Sequence, residues 1–224
     1  MTTRHLESVT CAICDHKQIM SLIGSTNSFG YTDLDMRPPE MQRSTIDTWV
    51  QRCDSCGYCA NSLDVENPMA RSVIESQLYQ NTLSNPNYPQ LANEFKCKAI
   101  IDQANGKYAD AAWSSLFAAW ACDDEGHSAQ AIQCRKEAIQ ILERAQQENQ
   151  LMMEREIDQT LLLVDLLRRS GQLKQAEQLI ASARKGPLGE DYLLQILDYQ
   201  QTLIKAGDTA SHTIGEAIEK NEEL

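Results

Sequence analysis

Residues 108–123 read YADAAWSSLFAAWACD. Trp113, Leu116, Phe117, Trp120 and Ala121 fall at i, i+3, i+4, i+7 and i+8, a broad apolar stripe of helical period. Tyr108, Ala111, Ser115, Ala118, Ala119 and Cys122 form a second face of mostly small side chains. A helix with one bulky and one small face suits close packing between two neighbours, as in a stacked array. Outward from this stretch the helical period runs almost unbroken from residue 69 to the C-terminus. It predicts helices near 69–83, 89–104, 128–148, 150–170, 173–185, 189–206 and 209–220, with the polar run QQENQ at 146–150 separating two of them.

Three turns share one pattern: Gly106-x-Tyr108-x-x-Ala111, Gly126-x-Ser128-x-x-Ala131 and Gly171-x-Leu173-x-x-Ala176. Each places Gly just past a helix, where a left-handed cap costs least. Gly207-x-Thr209 starts a fourth copy in which His212 replaces the small residue. This series resembles the tetratricopeptide repeat, although the Gly-to-Gly spacings are uneven and the family's Pro after the second helix is matched only at Pro187. The resemblance implies a tetratricopeptide-like helical domain over 69–224.

Before Pro68 the composition changes to Thr, Ser, Asn, Asp and Cys. Here lie two C-x2-C pairs, Cys11-Ala-Ile-Cys14 and Cys53-Asp-Ser-Cys56. Each can present two thiolates from one tight turn, and zinc accepts four sulfurs tetrahedrally with no position left for water. One structural Zn2+ held by Cys11, Cys14, Cys53 and Cys56 is therefore expected. Closing the 38 residues between Cys14 and Cys53 costs about 3 kcal/mol plus a constant, against about 10–16 kcal/mol from structural zinc. Cys56-Gly-Tyr-Cys59 offers a competing register. Gly57 after Cys56 suits the knuckle turn and Ala60 after Cys59 does not, so Cys59 reads as a packed thiol. His5 and His16 are alternative ligands but read as solvated. The fold class is mainly α: a helical-repeat body preceded by a small zinc-ribbon-like β module over 1–68, with Thr48–Cys53 as a strand entering the second knuckle.

The linker DLDMRPPEMQR at 33–43 carries a double Pro that fixes an extended backbone. It reads first as a ribbon connector held by local ion pairs, and second as a rigid loop docking Arg37, Glu40 and Arg43 on the helical body or a partner. Cys122-Asp-Asp-Glu-Gly-His127 invites a second metal site. An acidic helix end on an acidic chain is the simpler reading, with Cys97, Cys122, Cys134, Met152 and Met153 as core residues.

The formal net charge of −12 and the lack of any Lys/Arg-rich run exclude nucleic acid as a natural partner. Eight cysteines with no apolar leader and no run near 18 apolar residues point to a cytoplasmic chain with reduced thiols and no membrane contact. No Ser–His–Asp or phosphate-loop pattern occurs, and a four-thiolate zinc has no open position, so no enzymatic activity is expected.

TCAICDHKQ (10–18), MRPPEMQRSTIDTWVQRCDSCGYCA (36–60) and YADAAWSSLFAAWACDDEG (108–126) together resemble a bacterial family. Its members join a double C-x2-C zinc knuckle to tetratricopeptide-like helices and have no assigned reaction. The likeness is close over 10–140 and general beyond. Asp15 departs from it, standing where a Gly is usual. The resemblance implies zinc at the same four cysteines. The zinc motif, the repeat-like helices and the lack of a catalytic constellation point to a module that binds a protein or peptide; the alternative is a regulator in which thiol oxidation releases zinc.

Overall fold

The structure, a computed structural model, describes residues 1–186 and 191–222. Pro187 thus lies outside the described residues. The chain is mainly helical, at 54%, with a small two-stranded antiparallel sheet at its N-terminus. Among the described residues no helix is long and apolar enough to cross a membrane.

The chain divides into two compact units that cut across the boundary expected at residue 68. One comprises 1–27 and 41–150, the other 28–40 and 151–224. In the first unit, β1 (Thr3–Thr10) and β2 (Lys17–Ser25) form an antiparallel hairpin, with Thr10 opposite Lys17 at its closed end. One face is open, with Leu6 exposed by 75% and Ile19 by 65%; the other is half-covered at Gln18, Met20 and Leu22. Apolar side chains stand on both faces, so the sequence lacks the one-sided alternation that betrays a half-buried strand. A second, minimal hairpin pairs β3 (Gln51–Arg52) with β4 (Cys59–Ala60).

The strand expected over 48–53 shrinks to these two residues, because Arg43–Thr48 winds into a 3-10 turn. Its driving contact is Trp49. The indole N–H donates to Thr45 Oγ1 at 2.9 Å, and the ring meets Phe117 and Trp120 edge-on at 5.2 and 6.3 Å. Aromatic pairs at such spacing favour T-shaped contact.

The helix expected over 69–83 is two, α1 (Ala70–Ile74) and α2 (Gln77–Leu83). Ser76 interrupts them, its extended backbone presenting a hydroxyl that accepts from Tyr79 N–H at 3.3 Å; this is an N-cap. Then come α3 (Gln90–Ala104), α4 (Tyr108–Asp124) and α5 (Ser128–Gln147). The middle helix, α4, is buried on both of its predicted faces, with Leu116, Trp120, Ala111, Ala118, Ala119 and Cys122 all covered.

The second unit holds α6 (Glu156–Arg169), α7 (Leu173–Ala183), α8 (Asp191–Ala206) and α9 (Ile214–Glu222). Two helix starts fall later than the periodicity predicts. Residues 150–155 are spent on turns: Gln150 caps the α3–α4 corner through Gly106 O and Ala109 N, and Met152 N–H donates to Gln159 Oε1. At α9, Thr213 and Glu216 form a reciprocal capping box, a signature readable as Thr-x-x-Glu.

The ends of α3, α4, α5, α6 and α8 close alike. A left-handed residue, Gly106, Gly126, Asn149, Gly171 or Gly207, follows each. The next N–H reaches back five residues, as in Lys107 to Asp102 O and His127 to Cys122 O, both at 2.8 Å. This is the Schellman closure.

The proline-bearing linker is no freely held connector. Residues 28–40 lie on the C-terminal helices of the second unit: Leu34 N–H donates to His212 O, Ile214 N–H donates to Thr32 O, and Asp33 bridges Thr213. Asp35 pairs with Arg169, and Tyr31 packs so closely on Gly215 that a Cβ there would stand 2.2 Å from its ring. The docked reading of the linker therefore replaces the local ion-pair reading.

Candidate metal centre

Each C-x2-C pair occupies the six-residue turn of a hairpin. Cys11 N–H donates to His16 O and Asp15 N–H to Cys11 O; Cys53 N–H donates to Tyr58 O and Gly57 N–H to Cys53 O, all at 2.8–2.9 Å. The flanking strand pairs correspond as well, Thr10 with Lys17 and Arg52 with Cys59. The two turns are thus the same structure built twice, with Asp15 and Gly57 both left-handed, at φ 60° and 76°. Asp tolerates this region better than most residues.

The register follows from this correspondence. Cys59 is the strand residue opposite Arg52, the counterpart of Lys17, so it leaves the turn. Its thiol is buried against Gly57 O and Cys97 instead.

Cys11, Cys14, Cys53 and Cys56 place their sulfurs within 4.8 Å of one another. Cys11 and Cys56 are 3.7 Å apart, and Cys14 and Cys53 are 3.6 Å apart. A tetrahedron with zinc–sulfur bonds of about 2.3 Å has an edge of about 3.8 Å. These four residues can therefore hold a metal ion. They form the sole cluster of three or more His, Cys, Asp or Glu able to do so among the described residues. All eight cysteines are free of disulfides.

Charge at the centre is uneven. Burial pushes the Cys11 and Cys56 thiols above their ordinary range, against backbone N–H groups that favour thiolate. Burial also pushes Cys14 up, but the His16 N–H and the neighbouring sulfurs outweigh it and bring that thiol down to about 7. Four crowded sulfurs sharing protons are poorly matched to one another. A divalent cation deprotonates coordinating thiols outright and removes the conflict.

Residues that sequence reading passed over hold the two turns in place. Gln18 bridges them, its amide N–H donating to Arg52 O at 2.8 Å and its oxygen accepting from Asp54 N–H at 3.0 Å. Ala12 N–H donates to Leu63 O, and Arg71 of α1 donates to Ile13 O at 2.7 Å. A lone Gln beside a knuckle carries no sequence signal of this role. His5 and His16 are exposed and outside the cluster.

The acidic stretch after Cys122 forms no metal cluster. Asp123 is engaged by Arg135 at 2.5 Å, and Cys122 is buried against Cys134. Cys97 is likewise core, facing Tyr79 O.

No protein-family model, curated protein or solved structure matches this chain.

Proposed function

We propose that this protein is a zinc-stapled helical scaffold, tetratricopeptide-like in its helices, that binds a protein or peptide segment. Zinc is the metal that a closed four-thiolate set favours. It serves structure, because a short hairpin pair with few buried side chains lacks the core to hold itself.

One observation carries the binding reading. A groove of about 290 Å³ runs over α4 at Ser115, between α3 and α5. Ala99 and Ile100 on one bank and Ile141 on the other give it an apolar floor, and Gln103 and Gln140 give it an amide rim. Leu78 stands at its end, 65% exposed. An apolar floor with polar edges takes side chains of a bound segment while the rim satisfies its backbone. Selection of displayed peptides on the metal-loaded protein tests this. Enriched peptides should share an apolar anchor and lose at least tenfold in affinity against Ile100→Asp or Ile141→Asp. If no peptide is enriched, or those enriched bind the variants equally, the reading fails.

A redox-responsive regulator is the second reading, favoured by unequal cover over the sulfurs. Cys11 and Cys53 are fully buried, whereas Cys14 and Cys56 are partly open. Two equivalents of peroxide would oxidise four thiolates to two disulfides and release the ion. Counting bound zinc and free thiols before and after peroxide decides it; unchanged counts eliminate the switch.

A further inference from the structure

A second pocket, of about 470 Å³, opens in the first unit where the strand after the second knuckle faces α3. That volume lies within the range of about 300–1,000 Å³ usual for small-molecule sites. Lys98 and Asp102 line it, and both are almost fully buried, with 8% and 7% of their surface exposed. Lys98 Nζ donates to Asp102 Oδ2 at 2.6 Å and to Ser114 Oγ at 3.0 Å. An ammonium has three donors, so among the described residues one N–H remains unused. Asp102 Oδ1 has no protein partner there either.

The walls are Tyr58, Ala60 and Ile101, and Asn67 and Asn105 stand at the rim. The rim is ordered: Asn105 Nδ2 donates to Asn67 Oδ1 at 2.5 Å and to Ile101 O at 2.8 Å. Tyr58 donates its hydroxyl to Val65 O at 3.0 Å, which leaves its ring as an apolar wall.

We propose that this pocket binds a small neutral molecule through an edge that places a hydrogen-bond acceptor beside a donor, as the edge of a cyclic amide does. The acceptor takes the spare Lys98 N–H and the donor meets Asp102 Oδ1. Charged ligands fit worse. The lining holds both signs, Lys98 and Lys107 against Asp102, Glu66 and Asp110, so an anion and a cation each meet like charge, and either would draw one member of the Lys98–Asp102 pair from its partner. Removing one member of a buried pair is costly. Burial holds the Asp102 carboxyl above its ordinary range in spite of Lys98, so a neutral donor at Oδ1 stabilises its charged form.

The test is calorimetric or ligand-observed NMR titration of the full metal-loaded chain with three probes. Uracil offers the paired edge, 1,3-dimethyluracil keeps the ring without an N–H, and glycine is zwitterionic. Uracil should bind with a millimolar or tighter constant, and the other two at least tenfold more weakly. Lys98→Met should weaken uracil at least tenfold. Ala60→Leu, which fills the pocket and leaves the ion pair intact, should do the same with metal content unchanged and covers the case in which Lys98→Met misfolds. The proposal is overturned by no uracil binding, by equal binding of dimethyluracil or glycine, or by uracil affinity indifferent to Ala60→Leu.

Discussion

The guanidinium of Arg169, near the end of α6, is bonded to the carboxylate of Asp35, 134 positions earlier in the chain. Asp35 is fully buried and Arg169 nearly so. The linker between the two knuckles is thereby fixed to the C-terminal helices by a pair hidden from solvent.

Asp165, fully buried, feels the charges of both residues, so removing one of them unbalances a buried cluster. Asp35→Ala or Arg169→Ala should destabilise the second unit by about 3–5 kcal/mol. The double change to Leu and Met should cost much less, because the buried Asp165–Arg168 pair is then left balanced. Urea unfolding of the four proteins measures this, and equal losses in single and double variants would refute it.

The metal assignment separates the cysteines. Mass spectrometry under native conditions should find one zinc per chain. Cys53→Ser should lose it and lower the melting temperature, whereas Cys59→Ser should retain it. Loss of zinc from the Cys59 variant alone would move the site to the competing register.

Asp15 and Gly57 hold the same left-handed place in matched turns. Gly57→Ala should cost about 1–2 kcal/mol from the backbone alone, with more from Leu83, whose methyl lies 2.6 Å from the new Cβ. Asp15→Gly should change stability by under about 1 kcal/mol, since relieved strain is offset by the greater freedom of unfolded Gly. Denaturant midpoints, with chelator competition for zinc affinity, check the asymmetry.

His212 stands between two carboxylates, with Nε2 3.1 Å from Asp208 and Nδ1 2.6 Å from Glu216. Both acids are held below their ordinary values of 3.8 and 4.5. For Asp208 the leading cause is the Ala210 N–H, assisted by His212. For Glu216, burial acts upward and is outweighed by His212, Tyr199 and the Thr213 N–H. A depressed acid contributes stability above its unfolded pKa and loses it as pH falls through the folded one. The melting temperature should therefore drop as pH falls below about 4.5, and the advantage over His212→Gln should shrink over the same interval. A difference that stays constant from pH 6 to 3 would contradict this.

Much of the candidate metal centre was legible because its determinants are local. Cys53–Tyr58 closes its own six-residue turn through backbone bonds, and Gly57 marks the register by the conformation that the turn requires. The same holds for the helix ends at Gly106, Gly126, Gly171 and Gly207, each closed by N–H groups within five residues. Thr213-x-x-Glu216 is a capping-box pattern as well, but the helical period runs through it and sets the start at 209 instead.

The β1–β2 hairpin was harder, since Ile19 on its open face and Met20 and Leu22 on its half-covered face leave no apolar alternation to read. Ser76 broke a helix that periodicity alone would have continued, because a hydroxyl cap competes with the helical ladder. Lys98 and Asp102 are recognisable as an i, i+4 pair, but their burial depends on the strand after the second knuckle. The seat of the linker depends on Arg169 meeting Asp35. Neighbouring residues encode turns and caps through short-range hydrogen bonds; which distant charges share a buried site is decided when the chain folds, because desolvation belongs to the assembled surroundings.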